Sequence, residues 1–317
     1  MSGWKQQKVD ERMKLTWILF IVFLVWHYCA LGHEKDLTII RTIGPQSEND
    51  TAHLYFTNLI QLALNKSAKK YGASQLVLSS TTLNQGRWMR MLEQNVYLDV
   101  AWGGASHTRE DSLIAIPIDL LGGILGVRAM IIRREDRVKF NNIKTLDMLK
   151  GLTACQAEHW PDTDILENAG LNVLKTIIFE TNFRMLEKGR CDYFPRGIHE
   201  AYSEIDKYQV LWGNQLVLYD DLLLVYPFNM WLYVNKSQSS LAERIEYVLM
   251  LAIKDGSFKA IIEGHPVTNH LFPLSQWQGR RLFVIENPLQ KIRQTDEAWW
   301  LLKEFPFYQD ITFSTSN

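Results

Sequence analysis

From Leu37 onward the apolar positions change rhythm several times, and each change marks an element. Leu37-Thr38-Ile39-Ile40 is a short, partly β-branched run closed by Gly44-Pro45, which predicts a strand and a turn. Phe56, Leu59, Ile60 and Ala63 then recur at helical spacing until Gly72. Gln75 to Ser79 predicts a second strand, Arg87 to Gln94 a helix, and Tyr97 to Ala101 a third strand. Strand alternating with helix predicts a parallel sheet with right-handed crossovers.

Val127 to Arg133 predicts a long strand that carries the chain out of this first layer. A second α/β set opens with Thr145-Leu146-Asp147-Met148-Leu149-Lys150-Gly151, a short helix with a Thr N-cap and a Gly stop. A strand at Leu152 to Gln156 follows, then a helix N-capped by Asp162 and ending near Gly170. Next come a strand at Thr176 to Phe179, a helix over Asn182 to Lys188, and a strand at Cys191 to Phe194. Met230 to Val234 predicts the strand that crosses back. Leu241, Ile245, Val248, Leu249, Ala252 and Ile253 form the clearest amphipathic helix. The expected fold class is α/β with two lobes. The first is discontinuous, 33–132 and 231–317, and the second, 133–230, is inserted through two crossing strands that act as a hinge.

The N-terminus reads differently. Lys5, Lys8, Arg12 and Lys14 precede an apolar run from Leu15 to Tyr28, and Ala30-Leu31-Gly32 supplies small residues at its exit. These features predict a secretory signal over 1–32, cleaved near Gly32, and hence a periplasmic protein. The alternative is an uncleaved anchor, for which the run is short against the roughly 20 residues of a spanning helix. The 317 residues carry a formal net charge of −1, with 22% charged and 47% hydrophobic residues. Nothing in that balance supports nucleic-acid binding. Cys29 falls in the signal, which leaves Cys155 and Cys191. A bridge between them fits an oxidising compartment, although two buried thiols are the expectation.

Three segments resemble, in order, motifs of the type II periplasmic solute-binding proteins of family 3, the amino-acid-type group. They are Thr145–Gly151, then Gly189-Arg190-Cys191-Asp192-Tyr193-Phe194, and Leu241–Ile245 with Lys254-Asp255-Gly256-Ser257-Phe258. Trp160-Pro161-Asp162-Thr163, Asp192–Gly197 with Glu200, and Tyr226-Pro227 are similar to an uncharacterised proteobacterial subgroup of transporter-type substrate-binding proteins. The resemblance implies two lobes, a cleft and capture of a small solute for an ABC-type permease. Arg109, in Ala105-Ser106-His107-Thr108-Arg109-Glu110, matches by position the arginine that clamps a ligand carboxylate in that group. Ile116-Pro117-Ile118-Asp119 departs from the group's aromatic-rich segment, which argues against an ordinary α-amino acid.

Ligands of open α/β sheets sit at the carboxyl ends of strands, so the candidates follow strands. Trp102, with Gly103-Gly104 behind it, can stack on a ligand or fill a rim. Arg109 offers a fork for a carboxylate or pairs with Glu110 or Asp111. Trp160 can face the cleft or pack. Arg196, taken to open a helix, either meets a ligand anion or pairs with Glu200 one turn on. Tyr193, Tyr226, Arg128 and Arg87 are further candidates. The scattered histidines show no metal spacing, no cofactor motif occurs, and no catalytic motif is present. The expectation is a non-enzymatic, monomeric receptor that closes on an anionic or zwitterionic solute and meets a membrane permease. The alternatives are a sensory partner protein, or an enzyme with Glu200 or Asp162 as its acid/base.

Overall fold

A computed structural model describes residues 37–45, 50, 52–81, 83–289 and 299–311, so the expected signal at 1–32 lies outside it. Beyond Thr38 the chain forms one compact unit. Its elements are strands β1 (Thr38–Thr42), β2 (Ser74–Leu78), β3 (Val100–Gly104), β4 (Leu113–Ile116) and β5 (Val127–Arg133), with helices α1 (His53–Tyr71), α2 (Gln85–Glu93) and α3 (His107–Ser112) among them. The middle of the chain holds α4 (Arg137–Asn141), α5 (Leu146–Lys150), β6 (Thr153–Ala157), α6 (Pro161–Asn168), β7 (Asn172–Thr176), α7 (Phe179–Glu187), β8 (Tyr193–Gly197) and α8 (Ala201–Trp212). β9 (Leu216–Val225), β10 (Met230–Asn235), α9 (Ser239–Lys254), α10 (Ser257–Gly264) and β11 (Arg281–Val284) complete it. Among the described residues no helix is long and apolar enough to cross a membrane.

Two main sheets organise these strands. One runs β3-β10-β4, with β10 antiparallel to both neighbours. β1 and β2 form a separate pair. The three-stranded parallel sheet expected from β1, β2 and β3 is therefore not found. β1 meets the approach to β3 without ladder pairing, through Asp99 N–H to Arg41 O (2.9 Å), Thr42 Oγ1 to Val100 O (2.9 Å) and the Arg41–Asp99 ion pair (2.8 Å). The third strand also starts three residues later than expected, because Asn95 and Tyr97 turn the chain with φ of 55° and 61°. Behind this sheet α9 packs on α1, and buried Arg244 of α9 donates to Ser67 Oγ (2.7 Å) and Ser74 Oγ (3.0 Å).

The second sheet has six strands in the order β11-β9-β5-β8-β6-β7. β5 lies inside it, antiparallel to β8 and to β9. The strand expected to carry the chain across thus belongs wholly to the second sheet. The passage between sheets falls before β5, at Gly126, and after β9, at Tyr226–Asn229. Tyr226 N–H donates to Gly126 O at 3.1 Å, and a side chain at Gly126 would collide with the Tyr226 carbonyl. β9 escapes sequence reading because Asp220 and Asp221 split its apolar run. Asp220 is held by Arg280 (3.1 Å) and by Tyr202 OH (2.5 Å). β7 ends where a strand was expected to begin: Ile177 and Ile178 lead into α7 instead.

The C-terminal segment joins both sheets. After α10 it packs His270 on Tyr202 (ring centroids 4.5 Å apart), enters the six-stranded sheet as β11, and returns. Ile285 N–H donates to Val225 O (2.9 Å), Asn287 Nδ2 to Pro227 O (2.8 Å), and Trp299 Nε1 to Asn229 Oδ1 (3.1 Å).

Cys155 of β6 and Cys191, just before β8, form a disulfide with Cα atoms 5.6 Å apart. This corrects the expectation of two buried thiols. Pairing of β6 with β8 at Ala154–Tyr193 brings the two cysteines together inside an apolar cluster with Phe183, Leu186 and Phe194. The bond closes a loop of 36 residues, for which chain entropy gives about 4 kcal/mol. Reduction, or Cys155→Ala with Cys191→Ala, is expected to lower unfolding free energy by about 2–4 kcal/mol in urea titrations.

Asp119, fully buried beyond β4, donates nothing and accepts from Leu121 N–H at 2.8 Å. Burial pushes its carboxyl up to about 7, against the pull of nearby backbone N–H groups. The folded protein therefore binds this proton more tightly than the unfolded chain, and the stability it contributes is lost as pH rises from about 4 through about 7. Asp119→Asn is expected to gain about 2–4 kcal/mol on wild type between pH 4 and pH 8, read from urea midpoints.

Candidate functional site

Between the two sheets lies a chamber of about 70 Å³. One wall comes from Phe56 of α1, Trp102 and Gly104 of β3, and Phe228 on the passage between sheets. The facing wall carries Arg128 of β5, Trp160, Asp162 of α6, Phe179 of α7, Arg196 of β8 and Glu200. Trp102 stacks on Phe56 with centroids 5.1 Å apart at 28°, which leaves two fused apolar surfaces toward the chamber.

The polar side is an ion network. Arg196 lies within β8 rather than at a helix start, since α8 begins at Ala201. Its guanidinium donates to both Glu204 oxygens (Nε to Oε2 and Nη2 to Oε1, each 2.7 Å) and approaches Glu200 Oε1 at 2.9 Å. It also rests over Trp160, 4.6 Å from the ring centre, and near Phe194 and Phe179. Arg128 donates to Asp162 and to Tyr226 OH (2.9 Å), and Tyr226 OH in turn donates to Asp162. Glu200 stands 3.8 Å from Arg128, and His199 Nε2 is 3.5 Å from Glu200 Oε2.

Burial opposes every charge here, and neighbours decide the outcome. For Arg196 burial is outweighed by Glu200 and Glu204, which hold its pKa above the ordinary value. Arg128 likewise stays charged because Asp162, Tyr226 and Glu200 offset its burial. Glu200 is held below the usual carboxylate range: Arg196, His199 and Arg128 outweigh burial. Glu204 goes the other way, raised by burial and by Glu200 despite Arg196. The two carboxylates on one guanidinium thus divide into a firm anion and a ready proton acceptor.

Four of the eight sequence candidates come together in this chamber: Trp102, Arg128, Trp160 and Arg196. Tyr226 stands directly behind them, orienting Arg128 and Asp162. Arg109 does not line the chamber. It is buried beside β3, donating to Gly104 O (2.5 Å), Gln85 Oε1 (2.5 Å) and His159 O (3.4 Å), so its fork is already used. Tyr193 is packed edge-on against Phe140 in the core, away from the chamber. Arg87 is exposed at the start of α2 and lines an outer cleft.

Asp162 was expected as a helix N-cap, but Trp160 holds that position with Pro161 at the first turn, which frees the Asp162 carboxylate for Arg128. Glu204 and the aromatic side chains of Phe56, Phe179 and Phe228 were not anticipated. Only the spacing Arg196, Glu200, Glu204 could have pointed to the carboxylate pair. The three aromatic partners carry no local sign.

The element order and the two sheets bridged by a doubly crossing chain define the class: a periplasmic-binding-protein-like fold. Solved structures agree. An ancestral arginine-binding protein bound to arginine matches with a TM-score of 0.54 and 18% identity, covering 72% of this chain and 98% of that one. A histidine kinase sensor domain with similarity to periplasmic binding proteins matches with 0.54 and 16% identity, over 72% and 96%. The ligand-binding core of GluR0 from Nostoc punctiforme, in complex with L-glutamate, matches with 0.50 and 13%, over 73% and 99%. No family model matches the chain, and no curated protein matches it.

Arg196 is the hub of the carboxylates, so its loss leaves buried like charges. Arg196→Met is expected to cost about 3–5 kcal/mol in urea unfolding at pH 7.5, and Glu204→Gln added to it should recover part of that loss.

Proposed function

We propose that this chain is an exported solute-binding receptor whose two lobes, one built on each main sheet, close on a small zwitterionic ligand and present the closed form to an ABC-type membrane permease. The observation that carries this is the preformed ion network in the chamber. Arg128 and Arg196 already have carboxylate partners in Asp162 and Glu200, and burial beside Glu200 favours the protonated form of Glu204, so the network is balanced before a ligand arrives. A ligand with a single charge would leave a buried charge uncompensated, which is costly. A zwitterion adds no net charge. Its carboxylate takes an arginine from Asp162 or Glu200, and its ammonium takes the carboxylate so released. The aromatic walls of Phe56, Trp102 and Trp160 then cover the nonpolar part of the ligand.

The likeness to binding proteins supports this reading, as does the disulfide, which suits an oxidising compartment. The two passages at Gly126 and Tyr226–Asn229 supply the hinge, and closure acts by making the ligand-bound arrangement dominant. A sensory partner in place of a permease is the second reading, favoured by the histidine kinase sensor domain among the similar structures.

Titration calorimetry with a panel of amino acids, short peptides, organic acids and amines, paired with solution scattering, tests the proposal. Binding of a zwitterionic class with compaction is expected. Arg128→Met should weaken that binding by about tenfold to hundredfold, or ~1.4–2.8 kcal/mol. Tight binding confined to simple anions or simple cations, or no binding by any member, overturns it.

A further inference from the structure

The chamber does not end the cleft. A second cavity of about 330 Å³ adjoins it and shares three of its lining residues, Gln85, Trp160 and Phe179. The remaining lining comes from two rims. Leu83, Asn84 and Arg87 stand at the start of α2, and Ile177 and Ile178 occupy the turn between β7 and α7. Ala157 and His159 form part of the floor.

Two features separate this cavity from an ordinary surface depression. Ile177 and Ile178 are 61% and 62% exposed although they are adjacent, bulky and β-branched. Single exposed apolar residues are ordinary, but a pair set on the rim of a cleft whose floor holds Trp160 and Phe179 is a continuous apolar surface. The floor is also fixed across the two sides. Arg109 Nη2 reaches His159 O at 3.4 Å, and Gly86 faces the His159 ring so closely that a β-carbon would lie 3.1 Å from Cγ. The outer cavity holds about 330 Å³, whereas the inner chamber is reduced to the scale of a few water molecules.

We infer that the ligand is an amphipathic zwitterion, with its charged head in the inner chamber and an aliphatic or aryl tail running out past Gln85, Trp160 and Phe179 into the Ile177–Ile178 cavity. The inference rests on the proposed zwitterionic head and adds the tail, its chemistry and its exit. The inner chamber is too small for a head and a bulky side chain together, and the adjoining space is roughly five times larger by volume. The tail site selects by buried methylene groups rather than by charge, so chain length is the variable that reads it.

The probes are glycine, L-alanine, L-norvaline, L-norleucine and L-2-aminooctanoate, titrated calorimetrically into the full-length protein. Each methylene that passes Trp160 should tighten binding about fourfold, from roughly 0.8 kcal/mol per buried CH₂. In Ile177→Ser with Ile178→Ser, whose positions are exposed and leave the core intact, that increment should fall below about twofold while L-alanine binding stays within a factor of two. An affinity that is flat or falls with chain length overturns the tail site and leaves the zwitterionic head standing. An unchanged increment in the double variant overturns it as well. Failure of every probe to bind also overturns the tail site, whereas the head-group proposal falls only if no zwitterion of the wider panel binds.

Discussion

Two arginines side by side in the middle of one sheet set the terms for the rest of the structure. β5 and β8 pair so that Arg128 lies opposite Gly197 and Ala129 opposite Arg196, which puts the two side chains on opposite faces at the same end of the strands, where both line the chamber. Each is almost without contact to water. Buried cations of like sign persist only where carboxylates and hydrogen bonds replace the lost hydration. α6 answers with Asp162, and Glu200 at the start of α8 and Glu204 in its first turn answer from the other side. Glycine at 197 gives the turn room: a β-carbon there would run into the imidazole of His199, which sits against Glu200. The chamber is what remains between this ion network and the aromatic wall of the other sheet.

The connections between the sheets follow from that placement. Gly126 and Tyr226 pass side by side, linked by a backbone hydrogen bond, and Tyr226 then turns its hydroxyl onto Arg128 and Asp162. The passage between the sheets and the ion network therefore share a residue, Tyr226. The C-terminal segment adds a further tie. By bonding Val225 at the end of β9, then Pro227 and Asn229, it braces the second passage along its length.

Much of the site could be read in advance because strand ends and aromatic or cationic side chains are local features. Trp102, Trp160, Arg128 and Arg196 all lie on or next to predicted strands and all line the chamber. Arg109 shows the limit. Its position along the chain matched a ligand clamp, but its fork is taken by Gly104 O and Gln85, partners that no spacing announces. Asp162 shows the opposite limit. A carboxylate ahead of a helical run reads as a cap by local grammar, yet Pro161 moves the helix start back and Arg128, 34 residues away, captures the side chain. Tyr193 is placed by burial: it faces Phe140 on the covered side of the sheet.

The alternation of strand and helix, the amphipathic stripe of α9 and the stops at Gly72 and Gly189 were settled by residues within a few positions of one another, so the sequence by itself determined the α/β class and most elements. What lies between distant strands was not so determined. The membership of β5 in the second sheet, the antiparallel β3-β10-β4 order, the return of the chain as β11 and the Cys155–Cys191 bond all depend on which strands become neighbours. The same holds for the pairing of charges. Local pattern states that arginines and carboxylates are present, whereas only burial in the folded core forces each into contact with a particular partner, since an unpaired charge there is too costly to keep.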